Sequence, residues 1–242
     1  MTTNTNRIAA ITGGAGALGS ELARLLVSTG YKVALLDVEP AKERLAGLVK
    51  ELGPASASAH TGDFASAEAW TAALGAIKAS LGGPPTHAAL IAGGWAGGSA
   101  VHEEKDEASY RRMIEANVDT TWRALRALLP AMVTAKAGSV VVIGSRAAVR
   151  PWTSAGSAAY AASKAAAVTL AQTVAEEVLE HGVRVNAILP STMDTTANRR
   201  SMPDVDPARW VSLRSASGVI AFLFSDEARD VSGAAIPVYG RA

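Results

Sequence analysis

The sequence predicts an α/β fold: a single domain over residues 1–242, built on a doubly wound, seven-stranded parallel sheet with helices on both faces. Three observations predict it. Short apolar runs alternate with longer amphipathic or alanine-rich segments, which is the signature of strands and covering helices in rotation. A chain of 242 residues that is 49% hydrophobic can bury one large core. No internal repeat and no low-complexity linker divides it.

The elements follow in order. The first strand, 8–12 (IAAIT), runs into a glycine-rich turn from which helix 17–28 starts. Strand 32–37 (KVALLD) ends on Asp37 and is followed by helix 41–52, strand 56–60 and helix 65–81. The apolar run 88–92 is the fourth strand; after it the chain passes through AGGWAGG and enters the long helix 109–134. Strand 139–144, helix 157–180 and strand 184–189 come next. The polar, proline-containing stretch from Pro190 to about Trp210 has no periodicity, and because it starts at the carboxyl end of a strand it reads as a lid. Helix 217–224 and strand 234–238 complete the rotation.

Composition narrows the function classes. Lys plus Arg number 23 against 22 Asp plus Glu, a net charge of +1 with no basic block, which argues against a nucleic-acid partner. The polar start MTTNTNR and the absence of a long apolar run predict neither a signal peptide nor a membrane span. With no cysteine there is neither a disulfide framework nor thiolate chemistry, and a cytoplasmic location is the expectation. His60, His87, His102 and His181 are scattered without metal-ligand spacing, so no metal site is expected.

The first chemical signal is TGGAGALG, in which Gly14, Gly16 and Gly19 make the G-x-G-x-x-G spacing between a strand and a helix. Such a turn lets the backbone approach a pyrophosphate while the helix N-terminus supplies N–H groups and partial positive charge. A merely tight strand-to-helix turn would use the same residues. Asp37 stands about 20 residues on, where an acid grips a ribose 2′-OH; a carboxylate there repels a 2′-phosphate, which favours NAD(H) over NADP(H). An ordinary turn aspartate is the plainer alternative.

The second signal is YAASK. Tyr160 and Lys164 are four apart and share a helix face, so the ammonium can favour the ionised phenol and make Tyr160 a general acid or base. Such a pair is also common on solvated helix faces. Here IGS, ending in Ser145, places a hydroxyl at the carboxyl end of a central strand, where open α/β sheets bind ligands.

Together these motifs resemble the short-chain dehydrogenase/reductase family over nearly the whole chain, with ANVDT (Asn117) and the tail FSDEARDVSGAAIPVYG in the family's order. The resemblance implies a Rossmann domain and hydride transfer between nicotinamide C4 and a carbonyl carbon. It implies that Ser145 polarises a substrate oxygen, Tyr160 passes it a proton, and Lys164 holds the nicotinamide ribose and depresses the tyrosine pKa. Asn117 would keep a water that refills the relay. Cofactor contacts are implied for Gly13, Gly14, Gly16, Ala17, Leu18 and Gly19 in the cradle and for Asp37 and Asp63 after the second and third strands. They are implied also for Ala92 and Gly93, and for Pro190, Thr192 and Thr195. Homodimers or homotetramers through helices 109–134 and 157–180 are implied as well.

Three departures stand out. Ala17 occupies the usual middle glycine, Leu90-Ile91-Ala92-Gly93 replaces N-N-A-G and loses its Asn, and Pro190-Ser191 replaces P-G. The AGGWAGG and lid segments, with GALGS, resemble the dihydropteridine reductase branch, in which Trp95 would face a planar pterin and the glycines would let the loop pass over the cofactor. A Trp95 that merely plugs the sheet end is the alternative. Asn198, Arg199, Arg200, Ser201 and Met202 would close on the substrate, or else solvate a mobile loop. That branch lacks the strand-end serine, and Ser145 is present. Carbonyl/alcohol oxidoreduction of a small molecule is therefore the first reading and NADH-dependent reduction of quinonoid dihydropterin the second. A non-catalytic nucleotide-sensing protein is third, since such proteins commonly lose the Tyr or the Lys.

Overall fold

A computed structural model describes residues 7–241, so most of the polar N-terminal stretch lies outside the described residues. Seven parallel strands form one sheet: β1 (Ile8–Thr12), β2 (Lys32–Asp37), β3 (Ala57–Thr61), β4 (His87–Leu90), β5 (Gly138–Ile143), β6 (Val183–Pro190) and β7 (Ala235–Val238). Their order is β3-β2-β1-β4-β5-β6-β7. The chain winds outward from β1 to β3, then crosses back to β4 on the other side of β1. The order in which strands are added reverses there, which opens a crevice at the carboxyl ends of β1 and β4.

Helices α1 (Ala17–Ser28), α2 (Lys42–Leu52) and α8 (Leu213–Phe224) cover one face, burying Leu22, Leu45 and Ile220 against Ile11, Leu35 and Val141. On the other face α3 (Ala67–Leu81), α5 (Thr120–Ala135) and α6 (Ala158–Glu177) bury Ile77, Leu128 and Ala171 against Ile8, Leu36 and Val140. The inner strands are buried on both faces, which is why they read as unbroken apolar runs. Two short helices, α4 (Ala108–Met113) and α7 (Thr196–Ser201), complete the set among the described residues. None of the described helices is long and apolar enough to cross a membrane.

Four expectations shift, each for a visible reason. The fourth strand stops at Leu90, because the next two N–H groups leave the sheet and donate to Thr12 Oγ1 at 3.0 and 3.1 Å. The long helix expected over 109–134 is divided by a π-helical turn, Ile114–Asp119, and that wider turn carries Asn117 in the interior. The stretch read as structureless contains α7 and a parallel bridge between Met193 and Val211. The last helix also begins earlier than expected, since Ser212 caps it by accepting the Ser215 N–H at 3.1 Å.

His87 illustrates how the core is closed. Its ring packs edge-on against Tyr31, with centroids 5.1 Å apart, and bonds the Phe224 carbonyl through Nε2 at 3.2 Å and Thr86 Oγ1 through Nδ1 at 2.8 Å. The carbonyl requires a proton on Nε2, and burial favours the neutral ring that carries it. Burial lowers its pKa from 6.5 to about 4. Because the folded value lies below the unfolded one, its share of stability is complete above pH 6.5 and drains away as pH falls toward about 4. Denaturation followed across that window should show a loss of at most about 3 kcal/mol from this group, and His87→Gln should flatten the slope.

Candidate active site

The cradle is built by close backbone approach. Gly13 has φ +67°, and a Cβ added to it would stand 3.1 Å from the Ala92 nitrogen, so the turn after β1 lies directly against the segment after β4. A Cβ on Gly19 would come within 2.4 Å of the Gly13 carbonyl oxygen, and one on Gly14 within 3.0 Å of Leu35. Gly16 is the N-cap of α1 and brings no side-chain acceptor, so the first N–H groups of a 12-residue helix face the crevice without a capping partner from within the chain. Ala17 and Leu18 form the first turn. The absence of a glycine at 17 does not disturb the path, because Gly16 already bonds back to the Gly13 carbonyl at 3.0 Å.

Asp37 sits at the carboxyl end of β2 and braces this turn. Its Oδ2 accepts the Ala15 N–H at 3.0 Å and its Oδ1 accepts the Val38 N–H at 2.9 Å. Each oxygen keeps a second lone pair for a ligand. Alongside lies a cavity of about 300 Å³, bounded by Thr12, Gly13, Asp37, Asp63, Phe64 and Ala92 and closed from the helix side by Arg112, Ala116 and Thr120. Asp63 and Asp37 thus line the same cavity.

Ser145, Tyr160 and Lys164 converge past the end of β5. Ser145 is buried, its Oγ accepts the Ala147 N–H at 3.2 Å, and its hydroxyl favours the ionised form of the Tyr160 phenol. Lys164 is only 7% exposed, and its Nζ donates to the Ile143 carbonyl at 2.8 Å. Burial, with no acid beside it, lowers the ammonium to about 8. The phenol behaves otherwise than the spacing suggested: burial pushes Tyr160 above its ordinary value, and the opposing influence is the Ser145 hydroxyl. The lysine charge is spent on the strand carbonyl instead.

Asn117 is 1% exposed and fully engaged. Its Oδ1 accepts the Gly94 N–H at 2.9 Å, while Nδ2 donates to the Gly94 carbonyl at 3.1 Å and to Ser163 Oγ at 3.0 Å. The amide therefore clamps the loop after β4 to the π-turn and to α6. This explains the glycines: a Cβ on Gly93 would lie 2.6 Å from Asn117 Oδ1, and one on Gly97 would lie 2.1 Å from Ser157 Oγ. The space that glycine leaves at 93 and 97 is filled by the protein's own polar side chains. Trp95 is 64% exposed, so it does not plug the sheet end; its indole lies along Gly97, whose added Cβ would meet Cζ2 at 2.9 Å.

Beyond β6, Ser191 donates its hydroxyl to the Tyr239 carbonyl at 2.6 Å, which holds the strand end against the tail after β7. Pro190 and Thr192 flank it, and Thr195 caps α7 by accepting the Asn198 N–H at 3.1 Å, its own hydroxyl proton remaining available. Arg199 is committed to Asp194 by a two-pronged ion pair at 2.6 and 2.8 Å, so it stiffens the lid instead of reaching for a ligand. Arg200 and Ser201 are exposed. Sequence reasoning missed Thr12, Ser157 and Ser163, which position the site from 40 or more residues away from their partners.

The sequence model described as short chain dehydrogenase matches residues 7–206. The chain belongs to the short-chain dehydrogenase/reductase family. It is 30% identical to 2-(S)-hydroxypropyl-CoM dehydrogenase 3 of Xanthobacter autotrophicus, covering 97% of this chain and 96% of that protein. It is 32% identical to galactitol 2-dehydrogenase (L-tagatose-forming) of Cereibacter sphaeroides, covering 96% and 93%. Among solved structures, a short-chain dehydrogenase/reductase from Mycobacterium ulcerans superposes with a TM-score of 0.87 at 27% identity, covering 97% and 89% of the two chains. Carveol dehydrogenase from Mycobacterium avium in complex with NAD gives 0.84 at 25% identity, covering 97% and 96%. Short-chain dehydrogenases are oxidoreductases that use a nicotinamide cofactor, and the uncapped helix, the glycine turn and the paired acids described above fit one.

The lowered Lys164 value has a consequence for binding. Above about pH 8 the ammonium of the free enzyme loses its proton, and a neutral amine is a weaker donor to a ligand oxygen beside it. NADH affinity measured by fluorescence titration should fall as pH rises through that value, and Lys164→Met should bind weakly with no such step.

Proposed function

We propose that the protein is an NAD(H)-dependent reductase or dehydrogenase acting on a small carbonyl or alcohol, with Tyr160 as general acid and base. The observation that carries this reading is the meeting of Ser145, Tyr160 and Lys164 at the end of β5, next to the crevice between β1 and β4. Gly13, Gly14, Gly16, Leu18 and Gly19 would hold the pyrophosphate, Asp37 and Asp63 the adenosine half, and Lys164, Pro190, Thr192 and Thr195 the nicotinamide half. A nicotinamide bound there supplies or takes up the hydride.

The side chains then handle the proton. In the reducing direction Tyr160 Oη gives its proton to the carbonyl oxygen, and in the oxidising direction it takes the proton of the hydroxyl. Burial keeps the phenol protonated at neutral pH, the state required of a donor. The Ser145 hydroxyl acts on the phenol, and a substrate oxygen entering beside both would receive its hydrogen bond. Lys164 keeps positive charge next to the site while Tyr160 is transiently ionised. Asn117 acts by position, fixing Gly94 against α6.

Asp37 supports NAD(H) over NADP(H), since a carboxylate at this place repels a 2′-phosphate. The exposed Tyr110 and Trp122, on α4 and α5, support assembly into a homodimer or homotetramer through helices 109–134 and 157–180. Exposed Trp95 favours a second reading, reduction of a planar quinonoid dihydropterin, because an indole face suits a flat ring. Ser145 weighs toward the carbonyl, and assay of the purified protein on dihydropterin against a panel of ketones and alcohols separates the two.

Tyr160→Phe should lower kcat by about 10²- to 10⁴-fold on the best panel substrate and leave NADH affinity within about twofold. Turnover retained in that variant overturns the mechanism. Asp37→Ser should raise kcat/KM with NADPH relative to NADH by about 10-fold or more, the equivalent of removing one modest charge repulsion.

A further inference from the structure

The chain is close to neutral as a whole, yet the loop that follows the catalytic serine is not. Residues 144–157, GSRAAVRPWTSAGS, contain two arginines and no acid. Arg150 is the one whose position is defined by an aromatic ring: its guanidinium carbon stands 5.0 Å from the centroid of Tyr239. Tyr239 is itself fixed, since its carbonyl accepts the Ser191 hydroxyl at 2.6 Å and Ser191 follows the end of β6. Strand β6 pairs with β5, and the Gly144 N–H donates to the Ile188 carbonyl at 2.9 Å. The guanidinium is thus held over the carboxyl edge of the sheet, on the same loop as Ser145 and two strands from the cofactor crevice.

Two arginines of the lid stretch are otherwise occupied. Arg199 is paired with Asp194, and the Arg209 guanidinium donates to the Arg241 carbonyl. Arg150 has no ion pair among the described residues. A guanidinium stacked on a ring presents its N–H edge to whatever lies in its plane, and that edge matches the two oxygens of an acid.

We infer that Arg150 binds the anionic end of the substrate, so that the carbonyl compounds this enzyme prefers are oxo or hydroxy acids carrying a carboxylate, sulfonate or phosphate at the end remote from the reacting carbon. The inference rests on the carbonyl-reducing reading of the site. A charge-assisted bond of this kind is worth about 10- to 100-fold in affinity, and it is felt in KM because it is made equally before and during the reaction.

The test uses matched ketones of equal length that end in a methyl, a carboxylate, a sulfonate or a phosphate, with the wild-type protein, Arg150→Met and Arg150→Lys. The expected result is a preference for one or more of the acids of about 10- to 100-fold in kcat/KM, weakened by added salt. Arg150→Met should abolish it through KM and leave the methyl ketone unchanged, and Arg150→Lys should restore part. The best acid identifies the group. A wild-type protein with no preference, or a variant that slows neutral and acidic ketones alike, overturns the inference. Saturated carboxylates, sulfonates and phosphates, which cannot be reduced, provide an independent readout by thermal shift of the NADH complex. If no ketone turns over, the catalytic reading fails, while Arg150-dependent and salt-sensitive binding of these acids still decides the role of Arg150.

Discussion

A lysine ammonium buried against one strand carbonyl is the contact on which the rest of the site depends. Charge taken out of water is costly, and Lys164 compensates with a single bond to Ile143. That bond fixes α6 to the end of β5, the strand that delivers Ser145. Because Tyr160 lies one helical turn earlier on α6, fixing the lysine also fixes the phenol relative to the serine. The low ammonium value is the thermodynamic trace of the arrangement: burial disfavours the charge, and no acid of the protein offsets that cost.

Much of this was legible from local sequence. Strand and helix alternation follows from burial on both faces of a parallel sheet, and the four-residue spacing of Tyr160 and Lys164 places them on one face of any helix. The glycine turn and Asp37 were equally plain, since their meaning depends on neighbours within one βαβ unit. The illegible parts are contacts between distant segments. Nothing near Thr12 signals that its hydroxyl accepts two N–H groups almost 80 residues away, and nothing near Gly97 signals Ser157. The π-turn turns the polar Asn117 inward, followed by Thr121, and apolar periodicity carries no signal of it. The electrostatic expectation for Tyr160 failed because spacing reveals proximity along a helix and says nothing of the carbonyl that captured the lysine.

The departures from the family pattern also find their physical compensation. Where the asparagine after β4 is lost, the backbone N–H groups of Ile91 and Ala92 are both accepted by Thr12. The serine that replaces glycine after Pro190 is not idle bulk, as its hydroxyl binds the tail that carries Tyr239. The cluster of glycines around Trp95 is spent on packing against Asn117 and Ser157, which leaves the indole on the surface.

The bridge between Met193 and Val211 governs how this enzyme can change. The Asp194 N–H donates to the Val211 carbonyl at 2.8 Å and the Val211 N–H to the Thr192 carbonyl at 2.9 Å, so the intervening chain leaves and returns through one narrow neck. Extending such an excursion adds little chain entropy, since the cost grows only with the logarithm of its length. New residues can therefore accumulate outside the neck and reshape what the enzyme admits, while β6 and the catalytic strand feel none of it.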